Sequence, residues 1–172
     1  MGSEANGSGS TALGSKADAE GALSVAIGAS SKSMVSAIAL GPAALANGEN
    51  SLAIMRQAYA IGVYSISVGT AASVAGEAAI GIGKSVLTTG KRAIAIGATM
   101  DSTANSNNYN ANENMQATKE DSIALGTKAR ATSVKGIAIG SEASVTQEGG
   151  VALGEGAVAE TALGQNGYYR SH

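Results

Sequence analysis

Gly136-Ile137-Ala138-Ile139-Gly140 carries the pattern that decides the fold: a large aliphatic, a small residue, a large aliphatic, then glycine. The same pattern recurs as Ser24-Val25-Ala26-Ile27-Gly28, Ser51-Leu52-Ala53-Ile54 and Ser122-Ile123-Ala124-Leu125-Gly126. Aligning the closing glycines gives Gly14, Gly28, Gly41, Gly69, Gly83, Gly97, Gly126, Gly140 and Gly154, at steps of 14, 13, 28, 14, 14, 29, 14 and 14. Met55 bisects the step of 28 and stands where a glycine is expected. The chain is therefore an internal repeat with the commonest of these steps as its period, and such a period is read before any local propensity.

From the Gly28 coil onward, three residues before each marker and again one residue before it, the repeat places Ile, Val or Leu. Between these columns runs a third of small residues: Ala26, Ala39, Ala53, Ser67, Gly81, Ala95, Ala124, Ala138 and Ala152. Alternation of two with β-branched residues reads as a strand. A second strand follows the marker, with small residues three and five positions on, as in Ala17/Ala19 and Ala129/Ala131. The residue between them varies (Asp18, Lys32, Leu45, Tyr59, Ser73, Leu87, Arg130, Ser144, Val158), so this column is expected to face solvent. Each repeat is then one coil of two short strands, turned at a corner where glycine allows positive φ or close backbone approach. Gly28, Gly41, Gly69, Gly83, Gly97, Gly126, Gly140 and Gly154 are the predicted corner residues. Stacked coils make two parallel sheets back to back, and large side chains of one sheet set against alanines of the other are expected to fill the roll.

Composition agrees. Of 172 residues, 24 are Gly, 35 Ala and 21 Ser, with no Phe, Trp or Cys, so the core must be thin and aliphatic. One proline and the regular supply of Ile and Val exclude collagen and a Gly/Ser linker. Without cysteine there is no disulfide framework, thiolate nucleophile or thiolate zinc site. The net charge of −2 and the lack of a dense basic block argue against nucleic acid. No apolar run is long enough for a membrane helix, so no direct membrane insertion is expected.

The first strand is apolar on both faces, the mark of a strand buried on both sides. A smooth alanine face would let neighbouring copies approach closely. The alanine column is therefore expected to line either the roll interior or a contact between chains, with several chains packed around an axis and the variable column outward.

The pentads quoted above, each followed by a small-x-small strand, resemble the haemagglutinin-type head repeats of trimeric autotransporter adhesins (YadA-like heads), over roughly Thr11 to Gly164. The resemblance implies an all-β, left-handed parallel β-roll (solenoid) assembled as a homotrimer. It also implies a head at the bacterial cell surface, an extracellular passenger anchored to the outer membrane through regions absent from this chain. Its partners would be itself and host matrix proteins or cell-surface receptors, with no enzyme activity and no cofactor. The alternative is a structural spacer that projects a different adhesive domain. Met55, Gly81, the 13-residue coil before Gly41 and the long segment after Gly97 depart from the repeat.

One head domain is expected, with coils over 1–97, a polar Asn-rich insertion over 98–121 and further coils and a tail over 122–172. The step of 29 is more than twice the period, and a further coil there would put Asn108 and Asn110 in the aliphatic columns. Long excursions from a compact scaffold often carry function, which makes Asn107, Asn108, Tyr109 and Asn110 candidate ligand contacts. A second candidate surface is the outward stripe of Leu45, Tyr59 and Leu87, interrupted by Ser73. No catalytic, cofactor or metal site is expected. Ala78-Ala79-Ile80-Gly81-Ile82-Gly83-Lys84-Ser85 mimics a phosphate loop, but such a loop opens a helix and here a strand follows. His172 is the only histidine and terminal, a poor anchor for a Ser-His-Asp triad. The aspartates are too few for a calcium roll, and threonine follows too few markers for an ice-binding face.

Overall fold

The computed structural model describes residues 2–99 and 115–160. Within them the chain alternates between two parallel sheets, one of eleven two-residue strands and one of ten three-residue strands. Each strand pairs with those one coil before and after, so Ile66 lies beside Leu52 and Ile80, and Ser73 beside Tyr59 and Leu87. The 13-residue coil does not shift the register, since Val25 still pairs with Ile38 and Ile27 with Leu40. The long step does not shift it either: Ile94 pairs with Ile123, and Leu87 with Gln116. This is an all-β parallel solenoid with no helix among the described residues.

Two four-residue turns close each coil. Ala17 N–H donates to the Gly14 carbonyl at 3.1 Å, and Ser65 N–H to the Gly62 carbonyl at 3.2 Å. The third residue of each turn is left-handed although it is seldom glycine, with φ of 57° at Lys16, 56° at Ser30 and 59° at Tyr64. That conformation costs an L-residue about 1–2 kcal/mol. It persists because the strained residue's N–H continues the stack, as in Ser30 N–H to the Ser15 carbonyl at 2.9 Å. The predicted marker glycines hold the first corner, with φ between 117° and 155°, and Met55 adopts 87° in their place. They also meet the next coil closely: a Cβ on Gly69 would collide with the Gly83 carbonyl oxygen. The opposite corner has its own glycine column, including Gly48, Gly62 and Gly76, where a Cβ on Gly62 would collide with the Gly76 oxygen.

The faces differ from the sequence expectation. The small column of the three-residue strands points inward, and Ala26, Ala39, Ala53, Ala95, Ala124 and Ala138 are fully buried. The small residues in and just before the two-residue strands, such as Ala17, Ala19, Ala58 and Ala60, meet them from the other side. The large aliphatics therefore do not fill the roll. They stand on its outside, with Ile27, Ile38, Ile82 and Ile96 each between 37% and 41% exposed. The interior is too thin for them: opposite the small residues it accepts Val74, Val86, Val145, Thr88 and Met115 as its largest members. The alanine column is core, and the face available to another chain is aliphatic.

Gly81, irregular in sequence, is explained by this packing. A Cβ there would meet Val74 Cγ2 at 2.5 Å and Thr88 Oγ1 at 2.9 Å, so the missing methyl accommodates two larger neighbours. Gly81→Ala should overpack the interior and lower stability by about 1–3 kcal/mol, read as a fall in melting temperature. An unchanged melting temperature would show that Val74 and Thr88 have room to move.

Candidate binding surfaces

The variable column lies where the alternation puts it, on the outer face of the narrow sheet. Leu45, Tyr59, Ser73 and Leu87 follow one another in the ladder, each half-buried, with Ser73 separating Tyr59 from Leu87. Strand geometry builds this stripe, since Ala46 and Ala60 turn inward and force their neighbours outward. Around it the next corner adds Ile61 at 45%, Val63 at 38% and Tyr64 at 60% exposure, side chains that the sequence reading passed over. Their signal was available: the repeat from Met55 to Val68 holds both tyrosines found among the described residues.

The segment after Gly97 is shorter than the sequence boundaries suggest. Thr99 N–H still donates to the Lys84 carbonyl at 3.4 Å, continuing the corner ladder. Gln116–Ala117 forms the next two-residue strand, and Met115 is wholly buried in the position that alanine takes elsewhere. Ala98, Thr99 and Met115 through Asp121 thus belong to the roll, which corrects the 98–121 boundary. The surplus over one regular coil falls on 100–114, and Asn107, Asn108, Tyr109 and Asn110 lie outside the described residues.

Ion pairs join neighbouring coils on the outside. Arg92 bonds Asp121 of the adjoining coil, with Nε–Oδ1 at 2.8 Å and Nη2–Oδ2 at 3.0 Å, and also bonds Glu120. The Arg92 donors hold the Asp121 carboxyl below its ordinary range, and the Asp121 and Glu120 carboxylates in turn push the guanidinium up. Lys32 likewise bonds Glu20 and lies 3.4 Å from Asp18; its hydrogen bond lowers Glu20, and the carboxylates raise Lys32. All lie at the surface, exposed or half-buried, so their individual contribution is small and salt-sensitive. Among the described residues no group of three or more His, Cys, Asp or Glu could hold a metal ion, and no helix is long and apolar enough to cross a membrane.

Residues 3–32, 33–54 and 117–143 match the model of the YadA head domain repeat. Among solved structures, the collagen-binding domain of the Yersinia adhesin YadA is similar at 17% identity and a TM-score of 0.34, over 95% of this chain and 73% of that one. No curated protein matches the sequence. The repeat match falls on both sides of the surplus, on segments whose coils share one register, so these coils are similar to YadA head repeats.

Proposed function

We propose that this roll is the adhesive head of a trimeric surface protein, displayed outside a bacterial outer membrane and attaching the cell to host matrix proteins or cell-surface receptors. The match to YadA head repeats carries this reading. The outward aliphatic columns support the assembly, because nine of the ten parallel strands present Ile, Val or Leu at both outward positions on a face that the chain itself leaves uncovered. A contiguous apolar face of that extent marks an interaction surface. Three copies turned inward on it would bury the aliphatics along a common axis and leave the variable columns outward. Triplication of each outward site would then let weak contacts sum through avidity.

Collagen and other matrix proteins immobilised on a surface test the reading with the purified protein, alongside light scattering for mass. Concentration-dependent binding by a trimer is expected; a trimer that binds neither matrix proteins nor host cells would favour the spacer. Excising 100–114 joins Thr99 to Met115 and restores a coil of regular length, so mass and β-type circular dichroism should be retained. A fall in binding by that variant would place recognition in the surplus, whereas unchanged binding would turn attention to Leu45, Tyr59 and Leu87.

A further inference from the structure

All ten strands of the wide sheet run in the same direction across the aliphatic face. One edge of that face is therefore formed by the turns preceding the strands, and the other by the turns following them. In any closed ring of copies around an axis along the roll, rotation brings the downstream edge of one sheet against the upstream edge of the next. Such contacts are heterologous, and they meet strand for strand when the copies are level.

The charges on the two edges are complementary at equal height. The strand Leu52–Ile54 has Glu49 upstream and Arg56 downstream; Ile80–Ile82 has Glu77 and Lys84. Ile123–Leu125 has Asp121 and Lys128, and Ile137–Ile139 has Lys135 and Glu142. Only Val151–Leu153, with Glu148 and Glu155, carries like charges among described strands charged at both ends. Members of a pair lie at opposite ends of one strand, so the chain cannot close them on each other; along their own edges Glu77 bonds Lys91, Asp121 bonds Arg92, and Lys128 lies 3.9 Å from Glu142. Glu49 and Arg56 make no ion pair among the described residues, and both are exposed.

Shape points the same way. An open depression on the downstream edge is floored by Gly69 and walled by Met55, Val68 and Ile82, with Arg56 and Lys84 at its two ends. On the upstream edge, the turn at the height of Gly69 presents Tyr64, 60% exposed, between the Glu49 and Glu77 turns. We propose that this depression receives Tyr64 of the next copy, with Glu49 and Glu77 of that copy against Arg56 and Lys84, and that this contact sets the axial register between chains. The inference rests on the oligomeric head reading and adds to it which residues meet. An aromatic ring in an apolar hollow rimmed by paired charges is a common form of interface anchor. A slip of one coil, about 4.8 Å, would place the ring against the wrong turn and separate the charges.

The chain has no cysteine, so engineered pairs report cleanly. Glu49→Cys with Arg56→Cys in one chain should form interchain disulfides on mild oxidation, giving covalent multimers on a non-reducing gel. Glu49→Cys with Lys84→Cys, offset by two strand spacings or roughly 9.6 Å, should not, because bridged Cα atoms lie within about 7 Å. Tyr64→Ala should raise the concentration at which the assembly dissociates by about tenfold or more. Light scattering on each variant separates the two readings. A single-chain mass removes the assembly and this contact together. A multimer that fails to cross-link in the level pair, cross-links equally in the offset pair, or is indifferent to Tyr64→Ala overturns the docking while leaving the oligomeric head standing.

Discussion

Ala138→Glu should abolish the folded roll. Ala138 is fully buried, flanked in its ladder by Ala124 and Ala152, and faces the small residues of the narrow sheet. There is neither volume for the rest of a glutamate side chain beyond Cβ nor a partner for its carboxylate, and burial of such a group unpaired costs several kcal/mol. Since domain stability is commonly about 5–15 kcal/mol, loss of β-type circular dichroism and of the native mass is the expected result at ordinary temperature. Ser144→Glu is the control, because Ser144 belongs to the outward column beside Arg130. It should change stability by no more than about 0.5 kcal/mol. Equal damage from both substitutions would mean that inside and outside have been assigned wrongly.

The second large effect concerns the same sheet seen from its other face. Ile82 and Ile96 are ladder neighbours, 37% and 41% exposed in the single chain. Ile82→Asp together with Ile96→Asp should reduce the mass in solution to that of one chain. In a ring each charge would be desolvated along the shared axis and repeated in every copy, at several kcal/mol for each unpaired carboxylate. In a separated chain both groups remain hydrated, so the substitutions act on assembly and not on the coil's interior. An assembly that keeps its mass after this change would refute the aliphatic face as the seam between chains.

The contrast between these tests shows where the sequence reading stopped. The period, the two strands of the coil and the corner at each marker glycine were legible, because backbone geometry imposes all three. The stripe of Leu45, Tyr59 and Leu87 was legible as a column for the same reason. The second glycine column was present in the spacing of Gly48, Gly62 and Gly76 but was passed over, since the marker had already accounted for one corner per coil. Left-handed Lys16, Ser30 and Tyr64 left no sign in residue type; coil stacking alone holds them there.

By itself the sequence determined that this chain is a coiled stack of short parallel strands interrupted by one surplus segment. Only the tertiary structure decided which face of the first strand is interior. Alternation separates Ile from Ala without saying which is enclosed, and the usual preference for burying the larger side chain gives the wrong answer here. Two sheets joined by four-residue turns lie too close together for facing isoleucines. The space between them admits alanine and serine, with an occasional valine opposite a glycine, and displaces the large aliphatics to the outside of the roll. The position of Met115 was settled in the same way: its register follows from the pairing of Leu87 with Gln116, a contact between coils that the local sequence does not encode.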